Sequence, residues 1–378
     1  LTGTAATTYT HTGSGLLRIT TGVADSTTTA SGTGALNFTD SVAGDTSVTG
    51  SSGDDAFNFG ANLDTDDTVT GGTGTDTLTV TGDSITSAAA GDITVSGVET
   101  LHIDSDGTVV IDFDIFANPA ELATIVFDGA GDDHEVTLTD VQASVYTITN
   151  ANTAATNALD FVTIDLKDQT GSADTIHIDL DQEQAGTVAG TLTDAFVIDA
   201  ITANGVETIT IDTTFTSSVG NAEDITVTAL TSSTISTLNI TGTADLTITG
   251  ALDTDLDTLN ASTSTGANSF TLSGGDVAVT GGTGADTLAF GTSYTTADSF
   301  DGGAGTDVMS ATWSSGNNTP TGISNVEILA STFTGGSLNA TNLSSVTTHR
   351  IVDQTANTSI TNLASTATTI NQRGEGDT

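Results

Sequence analysis

Glycine and aspartate recur in this sequence at a spacing that can bring oxygen ligands together. Three eight-residue segments have the pattern Gly-Gly-x-Gly-x-Asp-x followed by an apolar residue, and they are 71–78, 281–288 and 302–309. A degenerate copy spans 50–57, and a weaker one ends in Asn268-Ser269-Phe270, with Asn in place of Asp. The carboxylates of these copies are Asp76, Asp286, Asp307 and, in the degenerate copy, Asp55.

The intervals between aspartates are repeated. Two series have spacings of 12 and then nine residues, namely Asp55, Asp67 and Asp76, and Asp286, Asp298 and Asp307. The large apolar residue two positions after each Asp keeps the same spacings, as Phe57, Val69 and Leu78, and as Leu288, Phe300 and Met309. Asp67 and Asp298 match the spacing but lack the preceding glycines, so their role as ligands is the weaker prediction.

This pattern indicates a metal site. Glycine is needed where a turn takes positive φ or where two backbones pass closely. Carboxylates stacked at one corner of successive turns repel each other unless a cation lies between them, and hard oxygen ligands at flexible spacing suit Ca²⁺. The alternative is that Gly and Asp only form ordinary tight turns. The repeated intervals favour several Ca²⁺ ions.

The elements that would position these carboxylates are short strands. A nine-residue period corresponds to one strand and one tight turn, so two periods make one coil of a flattened helix with the apolar residues stacked inside. The interval of 12 implies a three-residue bulge at one corner. Segment 50–101 aligns with 281–329, and both end in a motif that contains Val-Glu, which recurs at 204–209. The repeated Glu99, Glu207 and Glu327 are interpreted as turn hydrogen-bond acceptors.

Composition supports this fold and excludes several partners. The 378 residues contain 48 acidic and four basic side chains, which gives a formal net charge of −44. Nucleic-acid binding and attachment to anionic membranes are excluded by this charge. There is no cysteine and no apolar stretch long enough to span a bilayer. Period-two alternation of Thr with Val, Ile and Leu predicts half-buried strands, and the fold class is all-β, an elongated parallel β-solenoid or β-roll with calcium-binding turns.

Five segments are predicted along the chain. They are an N-terminal β segment (1–49), a calcium β-roll with following coils (50–110), a central β-solenoid (111–235), a second calcium β-roll module (236–335) and a C-terminal β segment (336–378). The last eight residues contain no export signal that we recognise, so a longer parent protein is expected.

The glycine- and aspartate-rich copies resemble the RTX calcium-binding nonapeptide repeat, which forms a parallel β-roll whose turns hold Ca²⁺. Carried over to this sequence, the resemblance implies carboxylate ligands Asp76, Asp286, Asp307 and Asp55, and backbone ligands at Gly72, Gly74, Gly282, Gly284, Gly303 and Gly305. The repeats and the Thr, Gly and Asp bias are similar to RTX-type surface-layer (S-layer) proteins of Gram-negative bacteria. That family implies type I export, a calcium-dependent lattice of identical copies, and anchoring to cell-surface polysaccharide.

The expected function is therefore a secreted structural protein that self-assembles through calcium into a cell-surface layer, sheath or tube. The alternative is a calcium-rigidified adhesin stalk, or an ice- or polysaccharide-binding solenoid, because Thr-x-Thr triplets recur. No enzyme is predicted, since the five histidines lack metal-ligand spacing. Among other acidic runs, 64–67 and 129–133 are further candidate ion sites, with Asp67 and Asp133 as ligands, whereas solvated turns explain the remainder equally well.

Overall fold

The computed structural model describes residues 8–82, 93–104, 108–128, 135–142, 146–150, 161–180, 196–214, 224–355, 358–364 and 369–372. The candidate ligand Asp133 lies outside these residues. Two compact units are present, one of residues 1–189 with 202–205 and one of 190–201 with 206–378.

The first unit is built from parallel strands joined by tight turns. Two short 3₁₀ helices, Phe113–Ile115 and Pro119–Glu121, form one of its corners. Its strands are β1 (Thr8–His11), β2 (Leu17–Thr21), β3 (Ser26–Ala30), β4 (Leu36–Asp40), β5 (Thr46–Thr49), β6 (Ala56–Gly60), β7 (Thr68–Thr70), β8 (Thr77–Thr81), β9 (Thr94–Ser96), β10 (Thr100–Asp104), β11 (Val109–Asp112), β12 (Thr124–Asp128), β13 (Glu135–Val141), β14 (Tyr146–Asn150), β15 (Phe161–Leu166) and β16 (Thr175–Asp179).

The second unit has the same construction. A further strand, β17 (Phe196–Asn204), contains residues assigned to both units. The strands of the second unit are β18 (Thr208–Thr213), β19 (Ile225–Thr231), β20 (Thr237–Gly242), β21 (Leu246–Leu252), β22 (Thr258–Asn260), β23 (Asn268–Leu272), β24 (Ala278–Thr280), β25 (Thr287–Gly291), β26 (Ser299–Asp301), β27 (Val308–Trp313), β28 (Asn317–Asn318), β29 (Ile323–Ser324), β30 (Ile328–Phe333), β31 (Ser337–Asn339), β32 (Thr348–Gln354), β33 (Ile360–Thr361) and β34 (Thr369–Gln372).

Each strand pairs with a strand of the next coil and not with its sequence neighbour. In the first unit the orders are β2-β4-β6-β8-β10-β12-β14-β16, β1-β3-β5-β7-β9 and β11-β13-β15. In the second they are β18-β20-β22-β24-β26-β29, β19-β21-β23-β25-β27-β30-β32-β34 and β28-β31-β33. Every strand pairing observed in the described ranges is parallel. Each unit is therefore a parallel β-solenoid, and the prediction of an all-β, parallel solenoid fold is confirmed.

Alternation of side chains explains the strands. In β8 the sequence is Thr-Leu-Thr-Val-Thr, and its two apolar side chains are buried while the three threonines are half-buried. The β-branched threonines suit a strand with one face toward solvent. The inner face holds Leu and Val against the coils on both sides.

The apolar residues that follow each spaced aspartate form continuous inner columns. Register places Phe57 against Leu78 in the first unit. In the second unit Leu288 pairs with Met309, and Val279 with Phe300. All six side chains are buried, so the prediction that these positions stack inside the coils is confirmed. Burial of a large apolar side chain contributes about 1.5–3 kcal/mol, and the columns supply this stabilisation at every coil.

The structure divides into two compact units, and the boundaries of the five predicted segments stay a prediction. Coils with and without the glycine motif join the same sheets. None of the helices among the described residues is long and apolar enough to span a membrane.

Candidate metal centre

The spaced aspartates lie at the corners of the coils and are buried. Four turns, 50–55, 71–76, 281–286 and 302–307, each end in one such Asp, and we call them the GGxGxD corners. The carboxylates of Asp76 and Asp307 are 0% and 1% exposed. Those of Asp55 and Asp286 are also buried. A buried carboxylate is costly unless hydrogen bonds or a cation compensate it.

One oxygen of each carboxylate accepts a backbone N–H from the equivalent corner of the preceding coil. Asp55 N donates to Asp76 Oδ1 over 2.7 Å, and Asp286 N donates to Asp307 Oδ1 over the same distance. Asn268 N donates to Asp286 Oδ1 in the same way. Each residue of this series is thus both a donor to the next coil and, except for Asn268, an acceptor from the previous one. We call the series the carboxylate ladder.

Glutamate ends the ladder in both units. Asp76 N donates to Glu99 Oε2, and Asp307 N donates to Glu327 Oε2, each over 2.9 Å. The interpretation of these two glutamates as turn hydrogen-bond acceptors is confirmed. They occupy the place that an Asp holds in the preceding coil, with a longer side chain reaching the same backbone group.

The second oxygen divides the four corners into two kinds. At Asp55 and Asp286 it accepts an N–H from within the same turn, from Ser51 N and from Gly282 N. At Asp76 and Asp307 the buried Oδ2 atom has no hydrogen-bond partner among the described residues. Two ladder carboxylates therefore each keep a buried oxygen that a ligand can use.

A backbone carbonyl of the next coil lies beside this second oxygen. A methyl group in place of the Gly302 hydrogen would be 2.1 Å from the Asn325 carbonyl oxygen and 2.7 Å from Asp307 Oδ2. At Gly71 the corresponding distances, to the Gly97 carbonyl oxygen and to Asp76 Oδ2, are 1.7 Å and 2.4 Å. Only glycine fits this position. The neighbouring carboxylate and carbonyl oxygens are the donor types that Ca²⁺ takes, and so these residues fit the predicted ion.

Two structural features explain why glycine is required at the other motif positions. Gly72, Gly74, Gly303 and Gly305 have φ of +116°, +133°, +88° and +134°, a region that side chains with Cβ rarely adopt. The corresponding Gly282 and Gly284 do not have positive φ. A Cβ at either would lie 2.2 Å from a carbonyl oxygen of the preceding coil. All six lie at the corners, where successive turns stack.

Burial and neighbouring charges raise the pKa of Asp76 and of Asp307. The pKa of Asp307 rises from 3.8 to about 6, mainly by desolvation, with smaller contributions from Asp286, Glu327 and Asp301. The backbone N–H of Asp286 acts in the opposite direction. The pKa of Asp76 also rises to about 6, again mainly by desolvation. Without a cation, the ionised form of these two carboxylates is therefore destabilised in the folded protein.

Burial raises the pKa of Asp286 as well, but several hydrogen bonds oppose this. Gly282 N and Asn268 N donate to its two oxygens, and the Asn268 side chain adds a third bond. The Asn268 Nδ2 group lies 2.9 Å from Asp286 Oδ1. An amide here neutralises no charge, but it supplies a donor that another carboxylate could not.

Asp67 and Asp298 occupy a different kind of corner. Asp67 Oδ1 accepts from Thr46 N, and its Oδ2 accepts from Asp64 N, both over 2.8 Å. Asp298 repeats this arrangement with Val277 N at 2.9 Å and Thr295 N at 2.6 Å. Both oxygens of each are occupied by N–H donors. Desolvation nevertheless raises the pKa of Asp67 to about 6.

One acidic cluster was not singled out as a candidate site by the sequence. Ligand atoms of Asp112, Asp114 and Asp140 lie within 4.8 Å of one another. The Lys167 ammonium contacts Asp114, so the cluster already has a cation beside it. Asp112 is the N-cap of a 3₁₀ helix that contains Asp114, but the approach of both to Asp140 depends on the pairing of β11 with β13. No short sequence motif predicts that pairing.

Comparison with family models, with curated proteins and with solved structures found no match to this chain. The fold and the corner geometry are therefore the observations on which a function can be argued.

Proposed function

We propose that this chain is an extracellular structural solenoid that is completed by Ca²⁺ and self-assembles into a cell-surface layer or sheath. The observation that carries the proposal is a pair of buried oxygens, Asp76 Oδ2 and Asp307 Oδ2, which have no hydrogen-bond partner in the described part of the chain and lie beside stacked backbone carbonyls. The repeated 12-and-nine spacing and the resemblance to RTX repeats support the same ion.

Calcium would act by closing the corners. Asp76 and Asp307, with backbone carbonyls such as those of Gly97 and Asn325, would hold the ion, while the ladder hydrogen bonds keep each carboxylate in place. Bound Ca²⁺ supplies positive charge where the isolated corner holds only oxygens. Ion binding would then be linked to folding, and one site at ~100 times its Kd stabilises the folded state by about 2.7 kcal/mol.

The proposed site of action is outside the cell, where millimolar calcium suits weak oxygen-rich sites. Export in an unfolded, calcium-free form follows from the same linkage. Assembly of identical copies must overcome mutual repulsion, because each carries a formal charge of −44. Exposed carboxylates such as Asp255 and Asp257 are available for bridging through divalent ions.

Chelation tests the calcium role. In EDTA we expect circular dichroism to lose β signal from segments 50–80 and 266–310, and titration with Ca²⁺ to restore it. An unchanged spectrum would contradict the site assignment. Negative-stain microscopy then tests assembly, since ordered sheets or tubes are expected when calcium is added. Persistent monomers at millimolar calcium would contradict the lattice and favour the adhesin stalk.

A second candidate function, ice or polysaccharide binding, is favoured by one face of the first unit. Register in the sheet β1-β3-β5-β7-β9 aligns two outward columns of hydroxyl side chains. The first column contains Thr27, Ser47, Thr68 and Thr94, and the second contains Thr10, Thr29, Thr49, Thr70 and Ser96. Strands about 4.8 Å apart and residues about 6.7 Å apart along a strand make a regular hydroxyl grid.

This grid carries no charged residue in either column, despite the acidity of the chain. Inhibition of ice recrystallisation by the wild-type protein, and its loss in Thr49→Lys/Thr70→Lys, would support the second function. Equal inhibition by wild type and variant would contradict it.

A further inference from the structure

The strongest unassigned feature of the second unit is a cavity next to the only tryptophan of the chain. It has a volume of about 320 Å³ and lies between the turn after β25 and the turn after β27. This volume is at the lower end of the range for small-molecule sites. None of the candidate metal ligands lines it.

The half-buried Tyr294 ring forms one wall of the cavity, and the Trp313 ring, which is 3% exposed, lies behind it. Tyr294 packs edge-on against Trp313, with ring centroids 5.8 Å apart, and against Phe290 at 5.3 Å. The Tyr294 hydroxyl donates to the Thr321 carbonyl over 2.7 Å and accepts from Thr321 N over 3.0 Å. Trp313 Nε1 donates to Ser331 Oγ. These bonds fix both rings before any ligand arrives.

The rest of the lining is polar and uncharged. It consists of hydroxyl and amide side chains together with one proline, and among them Thr292, Thr296 and Asn317 are exposed. Hydroxyl and amide groups both donate and accept hydrogen bonds. In a chain with 48 acidic residues, a cavity whose lining contains no acidic side chain offers no site that would attract a cation. The overall negative charge also disfavours an anionic ligand.

We infer that this cavity binds a neutral saccharide unit. A sugar ring presents C–H groups, which can pack on the partly exposed Tyr294 ring, and hydroxyls, which hydrogen-bond to threonine and asparagine; Tyr suits such mixed surfaces. The site is distinct from the calcium corners. It extends the proposed function by giving the chain a direct contact to neutral glycans, and it needs neither a lattice nor self-association.

The test is a binding titration at saturating calcium, so that folding of the corners is constant. Glucose, galactose, mannose and N-acetylglucosamine are the neutral probes, with glucosamine and glucuronate as charged counterparts. Binding is measured by Trp313 fluorescence and by saturation-transfer NMR. We expect at least one neutral sugar to bind and the charged counterparts to bind more weakly.

Variants of the exposed rim separate recognition from folding. Asn317→Ala combined with Thr296→Ala should weaken binding about tenfold, the effect of losing one or two hydrogen bonds, without changing circular dichroism. Tyr294→Phe keeps the aromatic wall and should bind, whereas Tyr294→Ala should not. Asn371→Ala, an exposed residue outside the lining, is the matched control.

Three results would overturn the inference: no binding of any neutral probe up to its solubility, preferential binding of a charged sugar, or equal weakening by Asn371→Ala. Failure of calcium-dependent folding or assembly is measured independently, by circular dichroism and microscopy. The two proposals can therefore fail separately.

Discussion

Replacement of Asp307 by Asn should change the stability of the protein in opposite directions with and without calcium. In the absence of Ca²⁺ the ionised Asp307 is buried, and its Oδ2 has no hydrogen-bond partner in the ranges that the structure describes. Its pKa rises from 3.8 to about 6. One pKa unit corresponds to about 1.4 kcal/mol, so the ionised carboxylate costs about 3 kcal/mol of stability at neutral pH. Asn keeps the acceptor for Asp286 N and removes this cost.

The direction in which stability changes with pH follows from the raised pKa of Asp307. The native state binds the Asp307 proton more tightly than the unfolded chain does, so the favourable contribution is complete below the unfolded value of 3.8 and is lost as pH rises through about 6. Metal-free wild-type protein should therefore lose stability over this interval, and Asp307→Asn should lose less. With saturating Ca²⁺ the order reverses, because the wild type gains the binding energy of the ion at this corner.

Urea unfolding followed by Trp313 fluorescence is the direct assay, because Trp313 is buried in the strand that begins after Asp307. In EDTA at neutral pH, Asp307→Asn should unfold at a higher urea concentration than the wild type. Its free energy of unfolding should be larger by up to about 3 kcal/mol. Asp255→Asn removes one charge from an exposed position and controls for net charge. If calcium stabilises wild type and Asp307→Asn equally, Asp307 is not a Ca²⁺ ligand.

Three further predictions use other residues of the second unit. Gly302→Ala should destabilise the protein by several kcal/mol at any calcium concentration, because its Cβ would meet the Asn325 carbonyl at 2.1 Å; Gly15→Ala, where no atom lies within 4 Å, is the control in urea unfolding. Glu327→Gln keeps the acceptor for Asp307 N but removes one charge that raises the Asp307 pKa, so the pH at which metal-free stability is lost should move downward. His349→Leu should stabilise by about 1–3 kcal/mol, because the ring is buried with both nitrogens unpartnered among the described residues. Burial lowers the His349 pKa, so the gain should grow as pH falls below 6.5, and an equal gain at all pH values would contradict this.

The coil and its inner columns were predictable from sequence because they depend on local spacing. The repeated intervals identified which apolar residues stack, and Phe57 and Leu78 pair as expected. The corner position of the aspartates followed from the same period. The repeated motif therefore specifies the coil, its inner apolar columns and the corner position of its aspartates.

The hydrogen-bond pattern at the corners was not predictable. The sequence spacing predicts the same role for Asp286 and Asp307. In the structure, Gly282 N donates to the second oxygen of Asp286, whereas the second oxygen of Asp307 has no hydrogen-bond partner in the described ranges. The difference depends on the direction of one backbone N–H, which follows from turn conformation; φ is positive at Gly303 and not at Gly282. The saccharide cavity also needed the structure, because Tyr294 and Trp313 meet across two turns that no short motif connects.

The carboxylate ladder gives the solenoid a polarity. The donor always belongs to the earlier coil and the acceptor to the later one, as in Asp55 N to Asp76 and Asp286 N to Asp307. A chain that emerges N-terminus first therefore presents each corner before its carboxylate partner exists, and the last coil to emerge completes the ones before it. Removing coils from the C-terminal side would orphan a buried N–H, whereas removing them from the N-terminal side would only expose a carboxylate to water. Deletions of equal length at the two sides of a ladder should consequently differ in cost.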